Sequence, residues 1–257
     1  MNRSILIADS GGTKTDWCYR NSLGEKKYFS TDSYHPRELT FKDVAQEKVF
    51  FKDYYDIEGL ELHFFGAGCL KTEIANEVSN YFKQLGFKNV SVESDIVAAG
   101  LALNEGNGWG AICGTGSVVF QMENGTLKQL VGGTGRESGD EGSGYYFGKL
   151  VSQEIESRTI NPSMFQELND FNFDNEKLGE LSSLLKNYKS TPEIEALHRK
   201  NIQSFANKYL KQCDVVSIAG SYAYFHQDFF REELSILGIE VLRFIHKPIM
   251  ELADKLK

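Results

Sequence analysis

The chain has 257 residues, 41% of them hydrophobic and 25% charged, enough to bury a substantial core without disulfides or metals as staples. Its 28 Lys and Arg against 36 Asp and Glu give a net charge of −8, which argues against nucleic acid or an anionic membrane as the main partner. The four cysteines (Cys18, Cys69, Cys113, Cys213) form no CxxC pair, so buried, reduced thiols are expected rather than a zinc or iron–sulfur site. The five histidines likewise lack metal-ligand spacing.

Met1 to Ser4 leads into the apolar run Ile5 to Ala8, too short for a signal peptide, and no stretch approaches a membrane span. A cytoplasmic protein is expected. Ile5 to Ala8 reads as a buried strand, Thr15 to Tyr19 as a second after a tight turn, and Lys27 to Thr31 as a third. Leu39 to Tyr54 and Leu70 to Leu85 read as helices, with a strand at Leu60 to Phe65 between them and another at Val90 to Glu93. Asp95 then caps a helix containing Ala98, Ala99 and Leu101.

The pattern begins again at Trp109 to Cys113, a strand followed by the Gly114-Thr115-Gly116-Ser117 turn, a strand at Val118 to Met122, and a third at Leu127 to Val131. Two copies of strand, Gly/Thr turn, strand, turn, strand indicate an internal duplication. Residues 145 to about 210 read as mainly helical. Val215 to Ala219, a helix from Tyr222, a strand at Ile239 to Phe244 and a closing helix from Pro248 restore α/β order. The expected architecture is α/β, two lobes built on duplicated mixed sheets, with a ligand in the cleft that they flank.

Four glycine-rich turns and one aspartate carry the candidate chemistry. In Asp9-Ser10-Gly11-Gly12-Thr13-Lys14-Thr15-Asp16 the paired glycines let backbone amides approach a phosphate, and Asp9 at the strand end is placed to hold magnesium through water. The loop is not a Walker A motif, and an ordinary hairpin turn explains the same residues equally well. Gly114 to Ser117 repeats the design, and two such hairpins suit a grip on a phosphate chain from both sides. Gly132-Gly133-Thr134-Gly135 and Gly139-Asp140-Glu141-Gly142-Ser143-Gly144 concentrate glycine beside acid, with a helix starting near Ser143. Asp95 serves as a helix cap or as an acceptor of a hydroxyl proton. Gly220-Ser221, between a strand and a helix, suits an adenosine or α-phosphate, as many such junctions without ligands would also.

Taken in order, these five motifs resemble the N-acetylglucosamine kinase family, grouped with the BadF/BadG/BcrA/BcrD ATPases in the superfamily of actin, hexokinase and the heat-shock ATPases. The resemblance spans nearly the whole chain. It implies two ribonuclease H-like lobes, 1–106 and 107–246, a helical insertion at about 145–210, and a terminal helix, 247–257, returning to the first lobe. It implies ATP and Mg²⁺ as cofactors, a small sugar as acceptor, and a homodimer. Carried over by position, Gly11, Gly12, Thr13 and Lys14 form the first phosphate loop with Asp9 near the metal, and Gly114, Thr115 and Gly116 the second. Gly220, Ser221 and Ala223 match the adenosine segment, Asp95 the general base, and Gly133, Thr134 and Asp140 the sugar-holding positions, with Ser117 nearby. The implied activity is transfer of the γ-phosphate to an amino sugar, N-acetylglucosamine giving the 6-phosphate. The chain departs from the family at Thr31 to Pro36, which lacks the usual asparagine, at Val118, and at Arg136, Glu137 and Ser138. Glucosamine and N-acetylmuramic acid therefore stand as alternative acceptors. An iron–sulfur activator ATPase of the same superfamily is disfavoured by the scattered cysteines, and a non-enzymatic sensor by Asp95 and Asp140.

Overall fold

The almost continuous burial of Ile5–Ser10, broken only at Asp9, marks β1 as the central strand of the first sheet in a computed structural model that describes residues 3–12, 14–137 and 139–256. β1 turns into β2 (Lys14–Arg20) and then β3 (Lys26–Asp32), all antiparallel, with Ser10 opposite Thr15. After α1 (Val44–Tyr54) the chain returns as β4 (Glu61–Gly66), parallel to β1. After α2 (Thr72–Leu85) it returns as β5 (Asn89–Ser94), parallel to β4, and continues into α3 (Asp95–Asn104). The strand order is β3-β2-β1-β4-β5.

The second sheet repeats the plan. β6 (Gly108–Cys113), β7 (Ser117–Glu123) and β8 (Thr126–Gly132) are antiparallel. α4 (Gly144–Glu156), α5 (Leu181–Leu184) and α6 (Pro192–Tyr209) lead to β9 (Val215–Ala219), parallel to β6. α7 (Ser221–Phe225) and α8 (Gln227–Ile236) lead to β10 (Glu240–Ile245), parallel to β9. Read from one edge, the order β8-β7-β6-β9-β10 matches the first sheet strand for strand and direction for direction. The duplication expected from the repeated turns is present at the level of topology.

The chain divides into two units: residues up to Glu105 together with those from Pro248 onward, and Gly106–Lys247. The first is packed around an aromatic cluster in which Trp17 meets Tyr34, Phe51 and Phe82 edge to face. Its last element, α9 (Pro248–Lys255), lies on α3, β1 and β2. Lys255 Nζ donates to the carbonyls of Leu101 and Ala102 in the last turn of α3, and Arg20 donates to the Ala253 and Leu256 carbonyls at the end of α9. Orphan helix-end carbonyls thereby find cationic donors. The second unit has its own core, with Phe147, Phe205 and Phe230 fully buried. Among the described residues no helix is long and apolar enough to cross a membrane.

One helical expectation needs correcting. Leu39 to Tyr54 is not one helix: a 3₁₀ turn at Leu39–Phe41 ends, and Asp43 caps a fresh start by accepting the Ala45 and Gln46 amides. Residues 145 to 210 are mainly helical as expected, although between α4 and α6 the helix is broken into short 3₁₀ turns and α5, where Asn161 and Asp174 side chains bond backbone two residues on and compete with the helix ladder.

Candidate functional site

In the first unit the candidate residues stand at the carboxyl ends of parallel strands, where open α/β sheets bind ligands. Ser10 pairs with Gly66 and Gly66 with Ser94, so the first hairpin and the start of α3 share one edge, two strand spacings or about 10 Å apart. The Gly11 amide donates to the Lys14 carbonyl at 3.0 Å and closes the turn. The Ser33 hydroxyl donates to the Gly11 carbonyl at 2.6 Å, and Ser10 and Thr15 share a hydrogen bond that the Tyr34 amide joins. A side chain at Gly12 would meet nothing within 4 Å, which leaves its backbone open to a ligand. Thr13 lies outside the described residues. Lys14 is more than half exposed, its Nζ 3.4 Å from Asp16 Oδ1. Beside the hairpin, Gly12, Asp32, Ser33, Glu38, Phe41 and Lys42 line a cavity of about 460 Å³.

Asp95 is not the cap of α3 but its first residue. Ser94 holds the cap position without making a cap bond, and Asp95 Oδ1 accepts the Ile96 amide at 3.0 Å. Burial raises the Asp95 carboxyl above the ordinary aspartate range, with the Ile96 amide pulling the other way. Burial, reinforced by the neighbouring Asp95, also raises the Cys69 thiol to about 12. All four cysteines are free and buried, as expected from their scatter.

In the second unit the Gly114 to Ser117 turn is held from below by a helix. The first amides of α4, from Gly144 and Tyr145, donate to the Gly114 and Thr115 carbonyls at 2.8 and 3.1 Å. The helix start thus anchors the hairpin with donors that would otherwise be orphaned. Ser143 caps α4 by accepting the Tyr146 amide. The Ser117 amide donates to Asp140 Oδ1 at 3.0 Å, and the Ser117 hydroxyl donates to the Glu141 carbonyl at 2.6 Å. Asp140 is buried with φ +69°, and a Cβ on Gly116 would come within 3.0 Å of its carboxylate. Burial raises the Asp140 carboxyl, against the Ser117 amide and Arg136. Gly133 packs on Val118, and Thr134 Oγ1 stands where a Cβ of Gly139 would be, so this loop folds back beside Asp140. Ser138 lies outside the described residues.

Gly220 brings the remaining motif to the same hairpin. Its φ is +113°, and a Cβ there would lie 2.6 Å from the Cys113 carbonyl and 2.9 Å from the Gly114 nitrogen. Only glycine permits that contact. Gly114, Thr115 and Ser221 accordingly line one cavity of about 510 Å³. Ala223 is fully buried and Ser117 spends its hydroxyl internally, so neither lines this cavity. The sequence missed Gly179, Ser182, Lys186, Tyr222, Phe225 and His226, which also line it. The first three come from the irregular stretch before α6, where no periodicity marks them.

Among the described residues no group of three or more His, Cys, Asp or Glu side chains is arranged to hold a metal ion. Asp9 stands next to last in β1, beside the first hairpin.

No family model matches the chain, and no curated protein matches it in sequence. Solved structures do match in fold. A candidate N-acetylglucosamine kinase from Porphyromonas gingivalis superposes with a TM-score of 0.81 at 21% identity, covering 97% of each chain. A candidate N-acetylglucosamine kinase from Chromobacterium violaceum gives 0.73 at 18%, covering 100% of this chain and 99% of that one. A ROK family glucokinase from Streptomyces griseus, in complex with glucose and AMPPNP, gives 0.61 at 14%, covering 98% of each. The fold is therefore a duplicated two-sheet α/β architecture that these solved structures share.

Proposed function

We propose that the chain is an ATP-dependent sugar kinase that transfers the γ-phosphoryl group to a hydroxyl of an amino sugar, N-acetylglucosamine giving the 6-phosphate. The observation that carries this reading is the meeting of the Gly220–Ser221 turn with the Gly114–Thr115 hairpin on one cavity of about 510 Å³, a size suited to a nucleotide. The names and ligands of the fold relatives support it. In this reading the cavity takes the adenosine, with Gly220 and Ser221 at that segment and Ala223 buried out of reach of the ligand. Gly114, Thr115 and Gly116 bond the phosphates. From the first unit, Gly11, Gly12, Thr13 and Lys14 supply further phosphate donors and Asp9 holds Mg²⁺, which neutralises phosphate charge when bound.

Asp95 is the general base. Its ionised carboxylate takes the acceptor hydroxyl's proton as that oxygen forms its bond to the γ-phosphorus, the bond to the bridging oxygen breaks, and ADP leaves. A carboxyl raised by burial has the higher proton affinity this step uses. Asp140, Thr134 and Gly133, with Ser117 nearby, hold the sugar. We place the protein in the cytoplasm, as a homodimer. A coupled ADP-release assay with N-acetylglucosamine, glucosamine and N-acetylmuramic acid tests the reading. N-acetylglucosamine is expected to give the largest kcat/KM, and ADP release that no sugar stimulates overturns the kinase assignment.

A further inference from the structure

Asn201, on α6, is fully buried. The Gly142 amide donates to its Oδ1 at 2.6 Å, which fixes which end of the side-chain amide faces the glycine. Both hydrogens of Nδ2 therefore point the other way, one to the Ser143 carbonyl and one to the Tyr222 hydroxyl oxygen, each at 2.9 Å. The Tyr222 hydroxyl, which accepts from Asn201, also shares a hydrogen bond with His198 Nδ1 at 2.8 Å. Burial lowers the His198 pKa well below its usual range, and its ring stacks on Phe147 at 4.0 Å. The hydrogen-bonded chain thus runs unbroken between Gly142 and His198.

The two ends of this chain matter for the reaction. Tyr222 is part of the cavity wall. Gly142 and Ser143 lie two and three residues beyond Asp140, both buried, so their amide and carbonyl need partners. Ser143 also caps α4, whose first amides hold the hairpin carbonyls. One side chain therefore fixes the segment carrying Asp140 and the helix start carrying the hairpin. Aspartate cannot donate and leucine can do neither; an amide does both.

We propose that Asn201, tied through the Tyr222 hydroxyl to the cavity wall, is a positioning residue that holds Asp140 and the Gly114 to Ser117 hairpin in register for phosphoryl transfer. This inference rests on the kinase reading above, and its test separates the two. Tyr222→Phe keeps the ring on the cavity and removes only the hydroxyl, so it avoids the folding risk of Asn201→Ala. The expected result is a KM for ATP within about 2-fold of wild type and a kcat about 10-fold lower, since small misplacements of reacting groups are costly. A variant with a lower unfolding midpoint but unchanged kcat and KM overturns the proposal, leaving a packing role alone. If the wild type phosphorylates no sugar, the kinase reading fails. The link is then still tested by amide hydrogen exchange. Tyr222→Phe should speed exchange of the Ser117 and Gly142 amides about 10-fold while the Ile7 amide of the first unit is unchanged. Unchanged Ser117 exchange overturns the inference.

Discussion

At the residue scale Asp95 illustrates a group kept at a cost to stability. Because burial raises its pKa in the folded state, its contribution is favourable below the unfolded aspartate pKa and is lost as pH rises through the folded value. At neutral pH the ionised carboxylate therefore opposes folding. Asp95→Asn, which keeps an oxygen for the Ile96 amide, should unfold at a higher temperature than wild type at pH 7, with the gap shrinking in acid. The same variant should lose phosphoryl transfer by roughly 10²-fold or more. Thermal scans at two pH values and the ADP-release assay check both halves, and near-normal turnover would remove Asp95 from the role. In the sequence Asp95 read either as a helix cap or as a carboxylate that could accept a hydroxyl proton, and the motif alone did not choose between them. Composition could not reveal its burial, because burial is set by strands that are distant in the chain.

At the element scale the turn between β9 and α7 is the tightest requirement. Gly220→Ala forces a methyl group against the Cys113 carbonyl and a left-handed backbone on alanine. A loss of about 1–3 kcal/mol is expected, measured by urea denaturation, together with weakened ATP binding measured by titration calorimetry. A variant that keeps both stability and affinity would show that the close approach is dispensable. The turns were the most legible part of the sequence: Gly11-Gly12 and Gly114 to Ser117 announced themselves by glycine between buried runs, and their repetition announced the duplicated sheets. The stretch between α4 and α6 was the least legible. Local Asx bonds at Asn161 and Asp174 override its helical composition, and Gly179, Ser182 and Lys186 reach the cavity by tertiary packing that no local pattern encodes.

For the whole molecule, the paired histidines of the second unit set an acid limit. His198 and His226 are buried with ring centroids 4.0 Å apart, and burial lowers His226 to about 4 and His198 well below its usual range. A histidine with a depressed folded pKa leaves the unfolded state binding more protons, so stability falls as pH drops from about 6.5 towards about 4. His226 alone should account for about 3 kcal/mol over that window, and His226→Phe should flatten the pH dependence of the urea midpoint. An equally steep profile in that variant would place the acid sensitivity elsewhere. The return of α9 to the first unit also bears on how the protein is made. Gly106–Lys247 emerges from the ribosome ahead of Pro248, so the second unit has every strand and helix in hand while the first still lacks the helix that covers β1 and β2. The order of completion during synthesis is thus the reverse of the order of sequence, and the earlier-made half must wait, with that face uncovered, for the later one to emerge.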